Sequence, residues 1–460
     1  MATTLALRAV DALGPDGAYH ARERETITDV AGNPVAELSL VPRLFVSRAM
    51  AALHKATTPP LEARLAAIAD GGALYAKEVV DGIAPAEHEL TVSRVTGLPI
   101  SVVREASGGI ARFAAEAYNN AQAARPIGTV TDWRDPLTRR GRGVWTRRGD
   151  VFAVHAPGNE PAVHALWLEA LALGYRVAVR PSRRDPFTPH RLISALRTAG
   201  FGDDQVVLLP TSYEVADEIL RGADVGLAYG GEDVMRKYAS LSSMLPQGPG
   251  RSKILLTADT DWREHLDVIV SSIAEQAGRA CVNATAVFVE GDPAPVAEAV
   301  AAHLSALPSL PPEDEHAVLP VLPVTEARKL EDYLLAKAVG TRPWLGGDGI
   351  VDELGDGSAV VRPAVHQVAR PDAAQARIEL AFPCVWIAPW SRDAGIEPLK
   401  ETLVITALTE DTRIVDALLA EPTIRNVYVG DQPTWRIEPG LPHDDYLSAF
   451  LMETKAVIRG

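Results

Sequence analysis

Hydrophobic positions along this chain change their period near residue 150. Before it, the runs Arg43–Ala52, Leu61–Asp81, Glu87–Leu98 and Glu105–Ala124 carry apolar residues at three- and four-residue steps. That spacing predicts helices over most of the first 130 residues, with Ala and Leu stripes serving as packing faces. From Asp150 short apolar runs alternate with helical ones. Val151–His155, Arg176–Arg180, Gln205–Leu209 and Val225–Tyr229 read as strands. Pro161–Leu173, a segment opening at Thr188-Pro189, and Tyr213–Leu220 read as helices, with Pro161 suited to a first turn and Gly174 to a C-terminus. Repeated βα units of this length predict a parallel sheet with helices on both faces, binding ligands at the carboxyl ends of its strands. Farther on, the amphipathic run Trp262–Gln276 leads to a strand over Thr285–Val289. Pro293–Leu307 and Val324–Val339 look helical, and Val360–Val368, Cys384–Ile387 and Leu403–Ala407 look extended, which predicts a second α/β unit.

Length and composition narrow the class. A chain of 460 residues can bury large cores and divide into two or three domains. Its 47% apolar and 23% charged residues are ordinary for a soluble protein. The formal charge of −15 disfavours a nucleic-acid partner, since polyphosphate is repelled outside any local basic patch. With only Cys281 and Cys384, a disulfide framework is implausible and a reducing setting fits. The N-terminal stretch lacks a signal-peptide pattern, and the longest apolar candidate, Pro161–Tyr175, is broken by His164 and Glu169. The expectation is a soluble cytoplasmic protein with neither membrane nor nucleic-acid partner.

Candidate chemistry centres on Gly278-Arg279-Ala280-Cys281-Val282-Asn283-Ala284, the turn between an amphipathic run and a strand. A thiolate there can attack carbonyl carbon, and a following N–H can point at the resulting oxyanion. The bland alternative is a small buried apolar cysteine, the usual fate of a free thiol and the reading given to Cys384. Three strand ends carry turn-forming loops: Ala156-Pro157-Gly158-Asn159, Arg180-Pro181-Ser182-Arg183 and Gly230-Gly231-Glu232-Asp233. Each alone signals only a turn. Residues 134–149 hold six arginines, read either as a nucleotide or CoA phosphate patch or, preferably, as a solvated β-hairpin able to extend a neighbouring subunit's sheet. Residues Tyr446–Ile458 are expected to pack on that hairpin or across a dimer interface. His155 and His164 read as structural.

In this order, these segments resemble the aldehyde dehydrogenase superfamily from about Val151 to the C-terminus, most specifically over Val151–Val289. Pro157-Gly158-Asn159 is similar to the family's Pro-Trp-Asn loop, Arg180-Pro181-Ser182 to its Lys-Pro-Ser, and Tyr229-Gly230-Gly231 to its Gly-rich cofactor loop. Gly250-Arg251-Ser252 is similar to Gly-Lys-Ser, Gly278-Arg279-Ala280-Cys281 to the Gly-Gln-x-Cys nucleophile motif, and Glu379-Leu380-Ala381-Phe382-Pro383 loosely to a segment whose Glu contacts the nicotinamide ribose. The resemblance implies an α/β, aldehyde-dehydrogenase-like fold: a Rossmann-type cofactor domain, a second α/β catalytic domain and a small oligomerisation hairpin. Residues 1–133 and 150–248 would form the cofactor domain with a helical N-terminal part, 249–430 the catalytic domain, and 134–149 with 431–460 the hairpin and C-terminal segment. A homodimer or homotetramer is implied as well.

The same resemblance implies Cys281 as nucleophile, Asn159 as oxyanion donor, and a dinucleotide held by Ala156, Pro157, Arg180, Ser182, Arg183, Gly230, Gly231 and Glu379, without a metal. Two departures matter. The general-base Glu of hydrolytic members is replaced by Gln247, 34 residues before the cysteine, and an amide cannot take a proton from water. Leu441-Pro442-His443-Asp444-Asp445 stands where the family has Pro-Phe-Gly-Gly. The first of these, with Gly230-Gly231, favours the branch that reduces acyl thioesters or acylates CoA, with coenzyme A as possible co-substrate, while the second removes the basis for carrying over the standard enzymes' substrate channel. An ordinary hydrolytic aldehyde dehydrogenase is the alternative, and a catalytically silent binding subunit a third. Arg183 replaces the Glu that accepts a ribose hydroxyl in NAD-preferring members, which favours NADP over NAD.

Overall fold

The computed structural model describes residues 7–438 and 440–459. Two seven-stranded sheets organise it. The first runs, in spatial order, Met244–Gln247, Val225–Tyr229, Val151–His155, Arg176–Arg180, Val206–Leu208, Ala12–Gly14 and Gly17–Tyr19. Its first five strands are parallel, and an antiparallel pair closes the edge. The parallel strands are buried on both faces, as such sheets require. Phe152 and Val154 pack under the helices Leu61–Lys77, Ile100–Gln122 and Phe187–Thr198, while Val151 and Ala153 face Arg43–Lys55 and Tyr213–Arg221. Full burial of a side chain such as Phe152 contributes about 2–3 kcal/mol. Register sets His155 beside Arg180 and Ala228 beside His155, so three strand ends form one rim.

The second sheet runs Arg342–Leu345, Ala364–Gln367, Cys384–Trp390, Ala284–Glu290, Ser252–Leu256, Thr402–Leu408 and Ile424–Val429. All are parallel except the edge strand Arg342–Leu345. Cys384 lies buried in this core, and burial pushes its thiol up, so it stays an apolar filler.

Several expectations need correction. Residues 8–40 are strands, not helix: Arg8–Val10, Glu23–Thr28 and Pro34–Leu40 form a small sheet of their own. Their short polar alternation lacks the length that makes a strand visible in one dimension, and pairing supplies it. The expected helix Pro161–Leu173 splits into a 3-10 turn, Pro161–Ala165, and an α-helix, Leu168–Leu173, ending at Gly174. Residues 134–149 make no hairpin. A 3-10 turn, Pro136–Arg140, precedes a single strand, Arg142–Arg147, whose partner is the C-terminal strand Met452–Val457. Two of its arginines are spent on protein carbonyls: Arg147 donates to Gly174 O at 2.6 Å, and Arg148 to Phe450 O and Ser242 O, each at 2.9 Å, while Arg134, Arg139, Arg140 and Arg142 are exposed. Among the described residues no helix is long and apolar enough to cross a membrane.

Candidate active site

The helix before the nucleophile ends sooner than its sequence suggests. Leu266–Ala274 is helical, and then Gln276, Ala277 and Gly278 take φ values of 53°, 59° and 64°. Left-handed backbone costs roughly 1–2 kcal/mol at each non-glycine residue, so surrounding contacts must hold it. Asn283 supplies them. Its Nδ2 donates to Ser272 O at 3.2 Å and Glu275 O at 2.9 Å, and its Oδ1 accepts the Ala280 N–H at 2.9 Å. Gly278 presses on the neighbouring loop so closely that a Cβ there would lie 2.4 Å from Pro383 N. The turn delivers Cys281, half-buried, to a cavity of about 1140 Å³. Ser252 Oγ donates to the Cys281 carbonyl at 3.0 Å and fixes the backbone behind the thiol.

The cavity brings together all three expected catalytic residues, Cys281, Asn159 and Gln247. Asn159 Nδ2 donates to Arg279 O at 3.0 Å, which orients the amide and leaves its second N–H for an oxyanion. Gln247 ends the edge strand of the first sheet, and its carbonyl accepts the Gly230 N–H at 3.0 Å.

Two further residues face the thiol that sequence reasoning did not single out. His443 places Nε2 3.5 Å from Cys281 Sγ, and its Nδ1 meets Asp444 Oδ2 at 3.2 Å. Burial opposes charge on this imidazole, but the Cys281 charge and Asp444 outweigh it and hold His443 well above its ordinary value. Tyr229 lines the same cavity with its hydroxyl buried and, among the described residues, without a hydrogen-bond partner. Burial, then the charges of Cys281 and Asp444, push that phenol up, so it stays a neutral donor. Nearby, burial raises the carboxyls of Glu160 and Glu169 to about 7. Eight acidic residues line the cavity against two arginines, and Arg112 and Arg436 are already bonded to Glu105 and Glu438. The only sequence hint of His443 was the break in the C-terminal motif at residues 441–445. Tyr229 appeared merely as part of a glycine loop.

The dinucleotide residues lie apart from this cavity, on the rim of the first sheet. Ala156 and Pro157 follow the strand Val151–His155, while Gly230 and Gly231 follow Val225–Tyr229. A Cβ at Gly231 would meet nothing within 4 Å, so this backbone stands open to an approaching ligand. A Cβ at Gly158 would strike Ser182 Oγ at 2.4 Å, so the first two loops touch. Open backbone above aligned strand ends fits a dinucleotide. Three expected contacts are otherwise engaged. Arg180 is buried and donates to Thr211 Oγ1 at 3.1 Å and Thr211 O at 3.3 Å. Arg183 stacks 4.7 Å from the Tyr213 ring centroid and pairs with Glu25 at 2.9 Å. Glu379 lies under the second sheet's entry strand, where it accepts the Arg251 N–H at 2.7 Å, and burial raises its carboxyl. His155 and His164 are both engaged within the fold, as expected of structural residues: half-buried His155 bonds Ala216 O at 3.0 Å, and buried His164 accepts from Trp167 Nε1 at 3.1 Å.

Two α/β sheets, with a cysteine presented between helix and strand and a dinucleotide-type rim on the first sheet, define an architecture with known relatives. The chain matches the aldehyde dehydrogenase family over residues 103–397 and belongs to it. It is 26% identical over 277 residues to 2-hydroxymuconic semialdehyde dehydrogenase of Pseudomonas putida, covering 55% of this chain and 56% of that one. It is 28% identical over 144 residues to a mitochondrial aldehyde dehydrogenase of Leishmania tarentolae, covering 29% of each. The matches thus span about half or less of these curated relatives. The fold is shared with indole-3-acetaldehyde dehydrogenase of P. syringae bound to NAD+, with a TM-score of 0.83 at 19% identity over 97% of this chain and 95% of that one. It is shared likewise with γ-glutamyl-γ-aminobutyraldehyde dehydrogenase of Burkholderia cenocepacia, with a TM-score of 0.80 at 20% identity over 98% and 97%. A specific tie to the acyl-CoA reductase branch is not among these relationships.

Proposed function

We propose that this protein is an NAD(P)-dependent aldehyde dehydrogenase that oxidises a small-molecule aldehyde to a carboxylic acid through an acyl group carried on Cys281. The observation that carries the reading is Cys281 presented just after a left-handed turn into a cavity that Asn159 also lines. The thiolate attacks the carbonyl carbon, and the oxygen takes hydrogen bonds from Asn159 Nδ2 and the Cys281 N–H. A nicotinamide dinucleotide, held by Ala156, Pro157, Ser182, Gly230 and Gly231, supplies the hydride acceptor when bound. Water then releases the acid.

A second reading, interconversion of an acyl thioester and an aldehyde with coenzyme A as acyl acceptor, is favoured by one observation: Gln247 offers no carboxylate to activate water. The acidic cavity lining weighs against it, because the phosphates of CoA would be repelled there. For the dinucleotide we carry forward NADP(H), on the guanidiniums of Arg180 and Arg183 that flank Tyr213, with Glu25 as a counterweight. We also propose a cytoplasmic homo-oligomer, with the ribbon Arg142–Arg147/Met452–Val457 extending a partner's sheet, and the division into domains described above. The test is purified protein with an aldehyde panel, both dinucleotides, and CoA present or absent. Acid formed without CoA, and abolished by Cys281→Ser with dinucleotide binding intact, is the expected result. Product formed only as acyl-CoA would establish the second reading. No turnover with any substrate would leave a binding subunit.

A further inference from the structure

Hydrolysis of an acyl-cysteine needs a base, and Gln247 cannot be one. The cavity holds another candidate closer to the sulfur. We infer that His443, positioned by Asp444, is the catalytic base of this chain: it holds the Cys281 proton at rest and later takes a proton from the water that releases the acid. This rests on the reading of Cys281 as nucleophile.

The geometry supplies three supports. Nε2 is 3.5 Å from the reacting sulfur, and Nδ1 meets Asp444 Oδ2 at 3.2 Å. One nitrogen is thus fixed by a carboxylate, so the other faces the reaction with a defined role. The segment is also anchored. Asn426 Nδ2 donates to the His443 carbonyl and, at 3.0 Å, to Leu403 O on the second sheet. Finally, the pair lies in the cavity it would serve, which Tyr229, Asp431, Glu438 and Asp445 line as well.

The proton inventory closes. In the reactive form of the pair one proton lies on His443 Nε2 and the electron pair on Cys281 Sγ, 3.5 Å away. Attack forms the S–C bond and moves the carbonyl π pair onto oxygen. A nicotinamide dinucleotide held by Ala156, Pro157, Ser182, Gly230 and Gly231 would supply the acceptor for the hydride, whose departure re-forms the carbonyl and leaves a neutral thioester. The imidazolium then has no thiolate to pair with, burial disfavours its charge, and it releases a proton to solvent. Neutral Nε2 next accepts a proton from water as the water oxygen bonds to the acyl carbon. The C–S bond breaks, its electron pair returns to sulfur, and the acid leaves and ionises. The cycle consumes one water, places one hydride on the dinucleotide and releases two protons.

The test separates acylation from deacylation and needs no dinucleotide. With p-nitrophenyl acetate as probe, Cys281 acylation appears as a nitrophenolate burst, and the steady rate that follows reports hydrolysis of acetyl-Cys281. At alkaline pH, where a thiol ionises unaided, His443→Ala should keep the burst, lose about 10²-fold or more in the steady rate, and accumulate acetyl-enzyme by intact mass. Added imidazole should restore part of the steady rate, which a merely structural role would not allow. Asp444→Asn should slow the same step and displace its pH profile. Wild-type deacylation should titrate with a single base and show a solvent deuterium isotope effect, a measurement that stands even if the variants fold poorly. Hydrolysis at the wild-type rate in His443→Ala, or wild-type deacylation independent of pH, overturns the assignment. A burst that persists in Cys281→Ser would instead overturn the nucleophile reading.

Discussion

Gly250 is where the second sheet meets the nucleophile, and a single methyl group there tests whether the backbone of Cys281 is held as described. A Cβ at Gly250 would lie 1.8 Å from Cys281 O and 2.7 Å from its carbonyl carbon. Ordinary C···O contacts sit near ~3.3 Å, so Gly250→Ala must open roughly 1.5 Å between the entry strand and the turn. Both sides are tethered. Leu403 N donates to Gly250 O at 2.8 Å, and Ser252 Oγ donates to Cys281 O at 3.0 Å. Overpacking costs about 1–3 kcal/mol, and losing the Ser252 hydrogen bond about 1 more. A total of about 2–4 kcal/mol leaves a typical domain folded, since stabilities run about 5–15 kcal/mol. The sulfur, however, would move by the order of an ångström, and such misplacement costs about 10²-fold in rate. Urea unfolding should therefore show a modest loss, while the nitrophenyl ester burst and dinucleotide-linked turnover both fall about 10²-fold. Gly231→Ala is the control, because a Cβ there meets nothing and stability should not change. Wild-type kcat/KM and wild-type stability in Gly250→Ala would refute the contact.

Three other outcomes follow from named groups. Glu160 is raised to about 7 by burial, which the Ala162 N–H and Arg279 oppose only in part. Between its ordinary value of 4.5 and about 7 the folded chain keeps a proton that the unfolded chain has released, so stability falls as pH rises through that window. The loss is at most about 3.5 kcal/mol at ~1.4 kcal/mol per unit, and Glu160→Gln should unfold at higher urea than wild type above pH ~7 while matching it near pH ~4.5. For cofactor choice, Arg183→Glu should raise KM for NADP(H) about 10-fold or more with little change for NAD(H), and Glu25→Gln should favour NADP(H). A wild-type preference for NAD(H) in steady-state kinetics would end that idea. Gln247→Glu should raise acid formation about 10-fold, a modest general-base gain; unchanged product release would show that this strand end does not face the acyl carbon.

Short-range periodicity carried far into this protein. Burial on both faces makes Val151–His155, Arg176–Arg180 and Val225–Tyr229 near-continuous apolar runs, so the parallel sheet was legible, and with it the rim where Ala156, Pro157, Gly230 and Gly231 gather. Cys281 was legible because a helical period gives way to a strand around it. What escaped depends on residues distant in sequence. His443 reaches Cys281 across 162 positions, and Glu25 finds Arg183 from a different sheet. Arg142–Arg147 takes its partner strand from Met452–Val457 rather than from its own neighbours. Gln276 and Ala277 are good helix formers, and nothing local announces their left-handed backbone. Asn283 and the press of Gly278 on Pro383 impose it, because only the packed interior holds enough hydrogen bonds and contact energy to offset the strain. Residue types and their spacing thus determined which elements exist and where a nucleophile could stand. Tertiary packing alone decided which imidazole faces it, since strands far apart in sequence come together in the second sheet and carry Cys281 and His443 to one place.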